Sequence, residues 1–153
     1  MHIGRYIDLV YRTEIDLAEA FRKVSKEFKD EPDVYQTCQL LARWSDQLVE
    51  ELAPFVKKYK SEKDDEPDRL TQTLLKKTRK GSLALLRDLH DLYLIASEVE
   101  ICCTILKQGS DSLRDKELTS ACEEVERQTK RQLNWITTRL KQAAPQTLIV
   151  AKE

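Results

Sequence analysis

The sequence predicts an all-α protein, a four-helix bundle, on three observations. Glycine and proline number only three and four in 153 residues, too few for the tight turns of a sheet-rich fold. Four long segments repeat apolar residues at the three- and four-residue spacing of a helix face. Gly4, Pro32, Pro67, Gly81, Gly109 and Pro145 fall between those segments, and Pro54 alone interrupts one.

The first helix is expected over about 5–29, with Ile7, Val10, Tyr11, Leu17, Ala18, Phe21, Val24 and Phe28 inward. DEPD then turns the chain, and Pro32 beside acidic residues favours a new helix start. The second helix spans about 32–60 with Val34, Cys38, Leu41, Ser45, Leu48 and Leu52 inward, and Pro54 should kink it or end its regular part. A charged connection over 61–81 carries a short helical patch near Leu70 to Leu75, and its charges read as solvated. Gly81 and Ser82 offer a stop and an N-cap for the third helix, about 82–108. The fourth covers about 113–144, ends at Pro145, and leaves TLIV as an apolar tail able to dock on the bundle.

The two turns are short, but the middle connection is long. Roughly 20 residues at about 3.3 Å each can cross the height of helices about 40 Å long, which makes the second and third helices parallel. The whole chain, 1–153, is expected to form one such domain.

Composition narrows the function classes. Lys plus Arg is 26 and Asp plus Glu is 27, a balance that gives no overall field for nucleic acid or an anionic membrane. The basic cluster KKTRK (Lys76 to Lys80) and the section Lys130, Arg131, Arg139 and Lys141 lack interleaved aromatics and read as solvated charge. No apolar run is long enough for a bilayer, and MHIGRYIDLV carries no signal-peptide pattern. Cys38, Cys102, Cys103 and Cys122 form no C-x-x-C pair and sit among apolar neighbours, as buried reduced thiols of a cytoplasmic protein do.

One residue breaks the inward stripe of the first helix. Glu14 stands in its middle, where a core side chain belongs. Matching heights along the bundle sets Glu14 near Ser45, Glu100, Gln128 and Glu126. As a satisfied polar layer, Glu14 would be paired with Ser45, Gln128, Gln132 or Tyr93.

Here the chain resembles the ferritin-like superfamily, including rubrerythrin-type proteins, over about 5–144. The resemblance implies two iron or manganese ions at mid-bundle, held by one Glu from each of two helices and E-x-x-H from each of the others. Glu14 matches the first-helix Glu, and Glu100, or less well Glu98, the third-helix one. Leu41, Trp44, Ser45 and Leu48 stand where the second helix needs ligands, and the fourth offers Gln128 and Gln132 without a histidine. His2 and His90 are the chain's only histidines, too few for that site. No metal and no catalytic residue is therefore expected; Glu14, Glu100 and Glu126 remain candidates for a carboxylate-rich site in a metal-dependent or redox enzyme.

The third helix carries a second apolar stripe opposite its core face: Leu83, Leu94, Ile101 and Ile105, with His90 among them. Asp88 and Asp91 flank His90, but no catalytic triad is readable there. A stripe of this kind needs cover. The connection and the TLIV tail can supply it, or a second chain can, as a twofold homodimer or a protein partner. The expected function is thus a non-catalytic helical bundle acting through self-association or a protein partner.

Overall fold

A computed structural model describes residues 1–60 and 69–152. Four α-helices account for most of them: α1 Ile3–Glu27, α2 Pro32–Lys58, α3 Ala84–Ser112 and α4 Lys116–Pro145. No strand occurs among the described residues.

α1 packs on α2 and on α3, α3 packs on α4, and α2 touches α4 more lightly. Contacts at the two ends set the directions. Gly4 lies against the Tyr59 carbonyl and Ile3 against Gly109, so α1 starts where α2 and α3 end. Lys58 and Tyr59 both reach Asp115, at the start of α4. At the other end Arg139 pairs with Glu31 and Asp33. α2 and α3 therefore run parallel, on a diagonal, and the chain between them must climb the full height of the bundle.

The core is the sum of four inward stripes. Ile7, Leu17, Phe21, Leu48, Leu52, Leu89, Leu92, Leu118 and Ile136 are fully enclosed, and burial of such side chains contributes about 1.5–3 kcal/mol each before the cost of ordering the chain. Small polar ties join neighbours. Ser25 donates to the Tyr35 carbonyl across the first turn at 2.7 Å, and the Ser110 and Thr119 hydroxyls meet at 2.7 Å across the second.

Several boundaries differ from the sequence expectation, each for a local reason. α1 begins before Arg5 because Gly4 belongs to it; a Cβ there would stand 2.2 Å from the Tyr59 carbonyl oxygen. α2 continues through Pro54, which is exposed, so water can serve the carbonyl that loses its helical donor. Ser82 is not the cap of α3; that place is taken by Leu83, with Ala84 N–H donating to the Gly81 carbonyl. Gly109 does not stop α3 either. It stays helical, and Ile3 packs beside it. The stop comes at Arg114, held left-handed at φ 56°, with Asp115 N–H donating to Ser110 and Arg114 N–H to Asp111, the paired bonds of a Schellman ending. Asp115 then caps α4 by accepting from Leu118 N–H at 3.1 Å. Its carboxyl is held down at about 2 by the Tyr59 hydroxyl first, then by Lys58 and Leu118.

The connection is less solvated than its composition suggests. Residues 61–68 of the expected 61–81 segment lie outside the described residues. Leu70 to Leu75 form successive turns rather than a helix, and Leu75 is buried with φ at 58°. Side chains of α1 and α3 hold this stretch in their shared groove. Arg69 pairs with Asp16 at 2.8 Å, Glu98 accepts from the Leu70 and Thr71 N–H groups and the Thr71 hydroxyl, and Lys23 donates to the Leu75 carbonyl at 2.6 Å. Arg79, one of the basic cluster, is no solvated charge. One of its nitrogens stands 2.7 Å from both Asp88 and Asp91, two carboxylates that are 3% exposed.

Removing one member of a buried ionic group leaves the others uncompensated. The Arg79 side chain is 31% exposed and so partly screened. Arg79→Ala is accordingly expected to lower unfolding free energy by about 2 kcal/mol in urea titration, through the two buried carboxylates it leaves; a loss below about 1 kcal/mol, the size of an exposed pair, contradicts the clamp. Arg114→Gly removes a left-handed non-glycine strain of about 1 kcal/mol, so the same titration should show a gain of that order, and a loss would contradict the assigned turn.

Candidate functional site: a buried polar layer and an exposed apolar stripe

Two features depart from what a bundle needs for folding. The first lies inside it. Glu14 is fully enclosed at mid-height of α1, and Thr13, Ser45, Thr129 and Gln132 are also at 0% exposure. Gln132 reaches from α4 to α2, its Nε2 donating to the Ser45 hydroxyl at 2.9 Å and to the Leu41 carbonyl at 3.1 Å. Among the described residues, neither Glu14 oxygen has a hydrogen-bond partner, nor do Gln132 Oε1, Thr13 Oγ1 and Thr129 Oγ1.

Burial drives the Glu14 pKa up to about 8, and the nearby Ser45 hydroxyl offsets this in part. Ser45 accepts from Gln132, so its own proton remains for Glu14, although the two do not close a full hydrogen bond. Glu14 is thus a neutral acid at pH 7. In that form it carries an O–H, a donor in a layer whose other unsatisfied atoms are oxygens. α3 contributes Cys103, whose thiol donates to the Cys122 carbonyl at 3.3 Å. That hydrogen-bonded neighbour, followed by burial, raises the Cys103 pKa, and Glu14 adds to the rise. All four cysteines are buried free thiols.

The structure brings Glu14, Ser45 and Gln132 wholly into the interior and Gln128 in part, its Oε1 buried without a hydrogen-bond partner among the described residues, but not the other expected members. Glu126 turns to Lys107 at 3.4 Å on the α3–α4 flank. Gln128 is half-buried and donates to Glu124 at 3.0 Å. Glu100 is half-buried on the shoulder of α3, Glu98 is engaged by the connection, and Tyr93 faces solvent. Thr13, Thr129 and Cys103 take the vacated places. Their helical positions mark them as inward, but small polar side chains give no sign of how they will pair.

The donor set does not fit a pair of transition ions. Ser45, Thr129 and Gln132 are neutral donors that compensate dications poorly. Leu41 and Leu48 are buried where the second helix would need ligands, and Trp44 stacks beneath the Arg131 guanidinium at 4.2 Å. Among the described residues no group of three His, Cys, Asp or Glu side chains is arranged to hold a metal ion.

The second feature is on the surface. Leu83, Leu94, Ile101 and Ile105 are 50%, 41%, 57% and 46% exposed. His90 is exposed among them, with Asp88 and Asp91 turned toward Arg79 instead. The described part of the connection meets α3 at Asp88 and Asp91 and, at the edge of the stripe, at Glu98. The apolar tail does not dock. Beyond Pro145 the chain widens into π-type turns over Gln146–Val150, closed by Ala151 N–H on the Gln146 carbonyl at 2.8 Å, and Leu148, Ile149 and Val150 stay exposed. Among the described residues, nothing of this chain covers the stripe.

No described helix is long and apolar enough to cross a membrane. The chain matches no protein-family model, no curated protein and no solved structure.

A raised carboxyl pKa sets a definite sign for pH dependence. The folded state holds the Glu14 proton up to about pH 8, whereas the unfolded chain releases it near the ordinary value of 4.5. This contribution to stability is complete below about pH 4.5 and falls by about 1.4 kcal/mol per unit as pH rises toward 8. Glu14→Gln keeps the shape and removes the titration. Its unfolding free energy should exceed that of the parent increasingly from pH 5 to pH 8; parallel curves would show that Glu14 is already ionised in the fold.

Proposed function

We propose that this chain is a non-catalytic helical bundle, ferritin-like in form, which acts through association with another protein surface, in the first instance a second copy of itself. The observation that carries this reading is the α3 stripe, which runs from Leu83 to Ile105 at half exposure. Over 22 residues it extends roughly 33 Å, with exposed Arg87 and His90 between Leu83 and Leu94, and half-exposed apolar side chains recurring along one helix face are a feature of interfaces. The mid-bundle layer supports the same reading from the negative side. Its enclosed neutral acid, amide and hydroxyls are suited to fixing helix register, and the ligands a ferritin-like metal pair would require are replaced by Leu41, Trp44 and Leu48.

A second reading is a metal-dependent or redox enzyme with an unusual carboxylate site, and the observation favouring it is the Glu14 carboxyl without a hydrogen-bond partner among the described residues. Elemental analysis of protein purified without chelator separates the two. The association reading expects no stoichiometric iron or manganese; either metal bound one-to-one and lost on Glu14→Ala would establish the enzyme reading.

For the stripe, Ile101→Lys places a charge at its most exposed residue. In sedimentation equilibrium the parent should be a dimer at micromolar concentration and the variant a monomer with an unchanged circular-dichroism melting curve. A parent that sediments as a monomer would overturn the proposal.

A further inference from the structure

The stripe has an internal symmetry that specifies how it would be covered. Leu83, Leu94 and Ile105 are spaced by eleven residues on either side, close to three helical turns, so they share one line along α3. Arg87, His90, Glu98 and Ile101 occupy the same face, again in pairs equidistant from Leu94. The apolar ends and centre of this line match under a twofold axis, while the bases Arg87 and His90 fall on one side of Leu94 and the acid Glu98 on the other.

Resting on the association reading, we propose that two copies of this chain pack α3 against α3 in antiparallel directions, with Leu94 on the twofold axis. Leu83 then lies level with Ile105 of the partner subunit, and Leu94 meets Leu94 of the partner subunit. Exposed His90 comes level with Glu98 of the partner subunit, and exposed Arg87 lies one turn from that same carboxylate. Charge selects this direction. Parallel packing would set Arg87 against Arg87 and Glu98 against Glu98, a like-charge arrangement that interfaces avoid. Glu98 is half-buried at the edge of the stripe, where the Leu70 and Thr71 N–H groups already hold its carboxylate in place. An acid fixed on the rim is thereby available to a base from outside, and the antiparallel register supplies two.

Cysteine cross-linking of the full chain reads this register. Leu94→Cys, Leu83→Cys and Ile105→Cys each change an exposed side chain, while the native thiols are buried. Diamide takes two electrons and two protons from a pair of thiols and leaves one disulfide. The expected result is a covalent dimer from Leu94→Cys alone, and from Leu83→Cys mixed with Ile105→Cys, with the parent uncross-linked on a non-reducing gel. If Leu83→Cys cross-links by itself, or Leu94→Cys fails to while sedimentation still shows a dimer, the antiparallel register is wrong and the association reading survives. A parent that is monomeric in sedimentation overturns both.

Discussion

A carboxyl group enclosed on every side at mid-height of the bundle constrains the helices around it. Glu14 is surrounded by the inward faces of its neighbours, and an ionised acid there would cost several kcal/mol with no cation to offset it. The fold meets this by keeping the group protonated and by setting hydroxyls, a thiol and an amide at its level rather than more hydrocarbon. Gln132, bonded to both the Ser45 hydroxyl and the Leu41 carbonyl, locks the height of α4 against α2.

The parallel arrangement of α2 and α3 rests on a different device. A long connection has no intrinsic reason to lie in one groove. Here it is fastened by charges and backbone groups: Arg69 to Asp16, Glu98 to two amides, Lys23 to the Leu75 carbonyl, and Arg79 between two buried aspartates. The strap runs along the side of α3 nearest α1 and reaches the edge of the apolar stripe at Glu98; among the described residues nothing covers the rest of the stripe, which remains on the surface.

Much of this was legible in the residues. Periodicity located the four helices, and the length of the middle segment implied parallel second and third helices. The position of Glu14 within an apolar stripe marked the buried layer. What escaped depended on contacts between segments far apart in the chain. KKTRK reads as solvated charge until Arg79 is seen to face Asp88 and Asp91, whose three-residue separation puts them on one side of α3. Gly109 reads as a helix stop because glycine usually is one, whereas the chain turns at Arg114, a residue with no preference for the left-handed region. Helical spacing does place Glu100 and Glu126 near the right height but on the shoulder of their stripes, where the structure has them half-buried.

The claim on which this account turns is that the acid at the centre of the bundle is neutral at physiological pH. Carbon-13 NMR of the side-chain carboxyl of Glu14, assigned by comparison with Glu14→Gln and followed from pH 5 to pH 9, measures it directly. The account predicts a protonated signal through neutrality and a midpoint near 8; a carboxylate signal already complete at pH 6 would contradict it.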